Sequence, residues 1–193
     1  VHISDVREQL FDAAERVLRQ AGPSGLTSRA VTAEAGVAKG VLHRHFTDFD
    51  GFLAELVHDR AERLNAQIAV LRASAGTGTV VDNLTEALAA LFESVAVAIV
   101  SLIIFRDELR ARLRQTWPVG VPVLTDAATM IAAYLAAERD LGRVAADADV
   151  DTLAPTLIGA SHMLFADRTG TAPDASAVRR MVTTVLGGVV PRS

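Results

Sequence analysis

Hydrophobic positions recur at helical spacing from the start of the chain. Val6, Leu10, Ala13, Ala14, Val17 and Leu18 fall three and four residues apart, which predicts an amphipathic helix over Ile3 to Ala21. Ser4 and Asp5 suit its start, and Gly22-Pro23 stops it. A fourth helix, capped by Asp48, carries Phe52, Leu53, Leu56, Val57, Leu64, Ile68 and Leu71 to about Ser74. The run Ala75-Gly76-Thr77-Gly78-Thr79 is a flexible break. Val80 to about Phe105 reads as one helix, apolar nearly all round from Val95 onward. A charged helix, Arg106 to Gln115, follows, then a loop marked by Pro118, Gly120 and Pro122. Three more helices are predicted near Thr125 to Leu141, Asp151 to Arg168 and Ala175 to Val190. Pro155 falls in the first turn of the second of these, or at a kink. No strand alternation, repeat or low-complexity tract interrupts the pattern. The expectation is an all-α chain of about nine helices.

The densest local signal lies between Leu26 and Phe52. Thr27 is placed to cap a short helix, with Leu26 and Val31 as a hydrophobic staple around it. Ala30, Val31 and Ala35 form its small apolar face, and Gly36 ends it where a positive φ is cheap. The next helix starts near Ala38 and turns Val37, Leu42 and Phe46 inward. Lys39, Gly40, His43 and Arg44 share its other face, with Val41 and His45 at the flanks. Two short helices joined by a tight glycine turn, the second dressed with cations, read as a helix-turn-helix for a DNA major groove. The first helix completes a three-helix head.

Composition refines this reading. Half of the 193 residues are hydrophobic but only 5% are aromatic, so the core is built of Ala, Val, Leu and Ile. Cysteine is absent, which excludes disulfides and thiol chemistry and fits a reducing cytoplasm. No basic segment followed by an apolar run marks a signal peptide. The uncharged run Ser94 to Phe105 is twelve residues, short of the roughly 20 a membrane span needs. It reads as a buried central helix, and no membrane partner is expected. Net charge is −4, which argues against indiscriminate nucleic-acid binding. In residues 1–50, Arg7, Arg16, Arg19, Arg29, Lys39 and Arg44 face seven Asp and Glu. The positive charge is local: from Arg29 to His45, Arg29, Lys39 and Arg44 oppose Glu34 alone. Few phosphate contacts and a modest salt dependence are expected.

The run Thr27-Ser28-Arg29-Ala30-Val31-Thr32-Ala33-Glu34-Ala35-Gly36-Val37-Ala38-Lys39-Gly40-Val41-Leu42-His43-Arg44-His45-Phe46 resembles the DNA-binding segment of TetR-type transcriptional regulators. The turn, the core positions and the terminal His-Phe carry the resemblance, which covers about fifty N-terminal residues. Two positions depart from the usual pattern: His43 stands where Tyr is common, and Phe49 where Lys is common. The resemblance implies an N-terminal DNA-binding domain (residues 1–47) and a C-terminal effector-binding and dimerisation domain (48–193). It implies a homodimeric repressor, released from a palindromic double-stranded operator by a small-molecule effector. The expected DNA contacts are Thr27, Ser28, Arg29, Lys39, Gly40, Val41, His43, Arg44 and His45. Arg and Lys donate to guanine edges or phosphates, Val41 suits a thymine methyl, and Thr27 and Ser28 suit phosphate. On segments resembling the family's pocket-lining helices lie Phe92, Phe105, Trp117, Met130, Tyr134 and His162. Together they supply shape with a few polar tips, while each alone is ordinary core packing. The aliphatic wall of Val95 to Phe105 favours a largely apolar effector; a fully ionised one would need a buried counter-charge, for which Arg106 is the only obvious nearby candidate.

The dimer interface is expected on the last two long helices. Leu157, Ser161, Leu164 and Phe165 form one stripe, and Val178, Met181, Val182 and Val185 another. Gly159, Ala160 and Ser161 allow close helix approach. Control by a protein partner, or no effector at all, is the alternative. A helical-bundle enzyme or carrier is remoter. Glu55 and His58 make one E-x-x-H pair, but a bundle di-metal site needs two such pairs plus further carboxylates. No catalytic residue, cofactor or metal is implied.

Overall fold

The computed structural model describes residues 3–93, 96–166 and 173–190. Among them are ten helices and no strand. They are α1 (Ile3–Gly25), α2 (Ser28–Glu34), α3 (Gly40–His45), α4 (Phe49–Ala73) and α5 (Val80–Glu93). Then come α6 (Ala96–Phe105), α7 (Asp107–Leu113), α8 (Leu124–Asp140), α9 (Val150–Phe165) and α10 (Ala175–Leu186). The side chains of Ser4, Asp5 and Ile68 lie outside what is described, as do Ser94, Val95 and the expected helical end at Arg168.

Where one helix was expected over Val80 to Phe105, α5 and α6 are described on either side of Ser94 and Val95, which lie outside the described residues. Elsewhere local chemistry sets the ends. The assigned span of α1 reaches Gly25, but Gly22 at φ 70° interrupts it at the predicted Gly22-Pro23 stop. Asp149 and Asp174 cap α9 and α10, accepting from the amides of Thr152 and Ala177. Pro155 sits inside α9, one turn further in than a first-turn proline. Val123 precedes α8 at φ 72°, an unusual value for a β-branched residue.

The chain packs as two compact units: residues 1–61 with 98–122, and residues 62–97 with 123–193. In the first, Leu10, Ala13, Ala14 and Leu18 of α1 meet Leu26, Val31, Leu42 and Phe46, all buried. Phe11, Phe46 and Phe52 form a ring cluster with centroids 4.9–5.8 Å apart. Each such side chain gains about 1.5–3 kcal/mol on leaving water. Buried Arg60 of α4 binds back to α1 through Asp12 (2.7 Å), Glu15 (2.9 Å) and Glu8 (3.6 Å), and to Asp59 (2.6 Å).

In the second unit, α5 buries Val80, Leu84, Leu88, Leu91 and Phe92 on one stripe. α10 buries Val178, Val182 and Leu186, and packs on α5 and α9. α8 packs on α9. A buried polar network closes the turn before α5. Asn83 Nδ2 donates to the Tyr134 hydroxyl (3.0 Å) and to the Thr77 carbonyl (2.9 Å). Arg143 ion-pairs with fully buried Glu138 (3.1 Å) and donates to the Gly78 carbonyl (2.6 Å). Burial and the Glu138 carboxylate push the Tyr134 phenol well above its usual range, so its proton stays on.

Candidate nucleic-acid interface

α2 and α3 are held by local chemistry that the sequence displays. Thr27 Oγ1 accepts from the Ala30 amide at 3.1 Å, and Leu26 and Val31 are buried beneath it. Gly36 adopts φ 67°, the left-handed turn between the helices. Leu42 and Phe46 are buried and Val37 is half-buried, which points the opposite side of α3 outward. On that outward side Lys39, Gly40, His43 and Arg44 are exposed, with Val41 and His45 half-buried at its edges. Thr27 and Arg29 are exposed at the start of α2, and Ser28 is half-buried. Ser28, Arg29, Thr32, Lys39, Gly40 and His43 line a shallow groove of about 430 Å³ between the two helices. Thr32 was not among the expected contacts; its hydroxyl is spent on the Ser28 carbonyl at 3.0 Å.

Tertiary contacts then fix the pair. Gln9 Nε2 of α1 donates to the Ala35 carbonyl (2.8 Å), occupying an acceptor at the end of α2. Arg16 pairs with Glu34 (2.6 Å), the one carboxylate near the cationic face. Arg7 donates to the His45 carbonyl (3.3 Å), lies 4.5 Å over the Phe46 ring and pairs with Glu55. Arg7 thus closes the C-terminal end of α3, a role no sequence motif announces because its partners lie 38 and 48 residues away. Asp48 starts α4. Its Oδ1 accepts from the Gly51 amide (2.7 Å) and its Oδ2 pairs with Arg112 of α7 (2.6 Å). The Gly51 hydrogen bond, then Arg112, hold its carboxyl below the ordinary aspartate range. Phe49, in place of a common Lys, stacks on Phe52 (5.7 Å) under the Arg106 guanidinium.

The expected effector residues fall in both units. Phe105 and Trp117 belong to the first, where Phe105 is 59% exposed and Trp117 stacks on His58 at 4.7 Å. Phe92, Met130, Tyr134 and His162 belong to the second. There Phe92 lies 6.2 Å from the His162 ring and 5.7 Å from Phe165, while Met130 is half-buried. Nδ1 of His162 and Oγ of Ser161 are buried without a hydrogen-bond partner among the described residues. Arg106, the candidate counter-charge for an ionised ligand, is paired with Asp50 at 3.0 Å. Glu55 and His58 are engaged by Arg7 and Trp117 respectively. Among the described residues no His, Asp or Glu cluster could hold a metal ion.

On the expected dimer helices, Leu157, Ser161, Val178 and Val182 are fully buried inside the protomer. Leu164, Phe165, Met181 and Val185 keep partial exposure. The outward side of α9 is Thr156, Gly159 and Met163, the last 76% exposed.

A glycine-turned helix pair with an outward cationic helix defines a helix-turn-helix DNA-binding protein. Residues 10–56 match the family of bacterial regulatory proteins, tetR family. Solved structures extend the likeness over the whole fold. A TetR-family transcriptional regulator from Mesorhizobium loti aligns with 99% of this chain and 100% of its own, at TM-score 0.72 and 16% identity. The fatty acid degradation regulator FadR from Bacillus halodurans aligns over 94% and 98%, at TM-score 0.72 and 17% identity. FadR from Bacillus subtilis in complex with stearoyl-CoA aligns over 94% and 98%, at TM-score 0.70 and 16% identity. A search of curated protein sequences returns no match. The N-terminal segment therefore matches the tetR family, and the chain as a whole has the TetR-type regulator fold. Among the described residues no single helix is long and apolar enough to cross a membrane.

Proposed function

We propose that this chain is a homodimeric repressor that holds a palindromic operator and leaves it when a small, largely apolar ligand binds. The observation that carries the reading is the outward face of α2–α3. Arg29, Lys39 and His43 stand exposed around one groove, Arg44 is exposed on the same helix, and no described carboxylate pairs with them. A surface that leaves its cations unpaired is matched to an anionic partner, and a helix of this size fits a major groove. Residues 1–47 carry the DNA contact, and residues 48–193 carry effector binding and dimerisation. The protein acts in the cytoplasm.

Ligand control is supported by the stearoyl-CoA bound to the Bacillus subtilis FadR of the same fold. It is supported also by His162 Nδ1, buried without a hydrogen-bond partner among the described residues and next to the Phe92–Phe165 stack, which gives an apolar ligand a polar anchor. Two-fold symmetry would set two α3 helices on half-sites about one DNA turn apart. The test is selection of bound duplexes from random DNA, followed by release with a panel of hydrophobic compounds. A palindromic consensus and ligand-dependent release are expected. Enrichment of no consensus would overturn the reading. Release by a protein alone would replace the ligand with a partner.

A further inference from the structure

We propose that a second groove, between the end of α6, α7 and the loop after it, binds a small organic anion with a flat apolar body. The groove has a volume of about 260 Å³. Buried Ile103 and Leu113 form its floor, and Trp117, Pro118 and Pro122 its sides. The charged side chains that line it are Arg110 and Arg114, and it has no acidic lining residue. Arg110 lies on α7 and Arg114, four residues on, is its C-terminal cap in helical conformation, so the two side chains leave the same side of that helix end. Arg114 is exposed and has no partner among the described residues. Arg110 pairs with Asp107, whose side chain is 81% exposed, so water and salt screen that pair. A guanidinium beside apolar walls suits a carboxylate carried on a ring, because it can take the carboxylate bidentately while the ring leaves water. A bare inorganic anion would leave those walls unsatisfied. The volume limits the guest to one or two rings, below the usual size of a drug site.

The same helix reaches the DNA-binding head within one compact unit. Arg112 of α7 pairs with Asp48, the cap of α4, two residues beyond the Phe46 that ends α3. Arg106, just before α7, pairs with Asp50. An anion that draws Arg110 and Arg114 together acts on the element that grips the start of α4. This regulatory role rests on the effector reading above; the binding site itself does not.

Trp117 is the sole tryptophan of the chain, so the emission comes from a side chain that lines this groove and stacks on His58. The full-length protein is titrated with 4-isopropylbenzoate, with neutral 4-isopropylbenzamide and sodium sulfate as comparisons. A saturable change in emission is expected with the carboxylate, at least about tenfold weaker with the amide or in Arg114→Gln, and partly restored in Arg114→Lys. Arg114 is exposed, so the variants are expected to melt with the parent, and Arg110→Gln gives a second, independent loss. Equal binding of the amide, equal displacement by sulfate, or an unchanged Arg114→Gln would overturn the site. If the probe binds as expected but operator DNA stays bound at saturation, the site stands and its role as effector site falls. If other compounds release the operator while the probe leaves Trp117 silent, this site falls and ligand control stands.

Discussion

At the scale of single residues, two arginines of this fold do different work. Arg44 is exposed on the outward face of α3, so it is available to a base edge or a phosphate. Arg44→Ala or Lys39→Ala is expected to weaken operator binding by roughly 1–3 kcal/mol if the side chain reads a base. If it touches phosphate, all sequences weaken alike and the salt slope flattens; anisotropy titrations at several salt concentrations separate the two. Arg7 instead faces inward to the His45 carbonyl and the Phe46 ring, so its removal should loosen α3 without deleting a DNA contact. Asp48 adds a pH dependence. Its carboxyl is held below the ordinary aspartate range in the folded protein by the Gly51 amide and Arg112. A depressed folded value means the contribution is present above the unfolded value and lost as pH falls through the folded one. Urea midpoints of the parent are therefore expected to drop on acidification below about pH 4, and less steeply in Asp48→Asn. Parallel acid limbs in the two proteins would remove Asp48 from that account.

At the scale of elements, the turn between α2 and α3 depends on one glycine. A Cβ on Gly36 would meet no atom within 4 Å, so space is not the constraint. The constraint is φ 67°, where an L side chain crowds its own backbone. Gly36→Val is expected to cost roughly 1–2 kcal/mol in urea unfolding and to reduce operator binding by tilting α3. A neutral effect on both would mean the turn can be re-made in another conformation. The α1–α4 contact turns on Arg60, whose side chain is only 4% exposed among Glu8, Asp12, Glu15 and Asp59. Its carboxylate partners are 20–49% exposed, so the cost of removal is discounted from that of a buried pair. Arg60→Ala is expected to lose about 2 kcal/mol. Its stability should rise with added salt, because four neighbouring carboxylates then repel one another through screened water. Denaturation at low and high salt checks both the size and the sign.

At the scale of the molecule, the proposed repressor would present two α3 helices only as a pair of copies. The side of α9 that remains for a second copy carries Thr156, Gly159 and Met163, since Leu157 and Ser161 are consumed inside the protomer. Met163→Glu is expected to give monomers that bind single half-sites weakly, seen as a halved mass in sedimentation and a loss of operator affinity. Met181→Glu tests the half-buried edge of α10 in the same way. A dimer unchanged in both variants would move the interface away from these helices.

Everything decided within a few residues was legible in the sequence. Thr27 as a cap, Gly36 as a turn, and the outward set from Lys39 to Arg44 follow from hydrogen-bond geometry, backbone sterics and helical period. So do the all-α class and most helix ends. What the tertiary structure alone decided is pairing over distance. Arg7 with His45, Arg60 with α1 and Arg112 with Asp48 join residues 38 to 64 apart. In a chain with eighteen arginines, no single one announces its carboxylate. The inward turn of Leu157 and Ser161 was decided in the same way. Their stripe was legible as helical period, but whether an apolar stripe faces its own protomer or a second copy is chosen by the elements that pack against it.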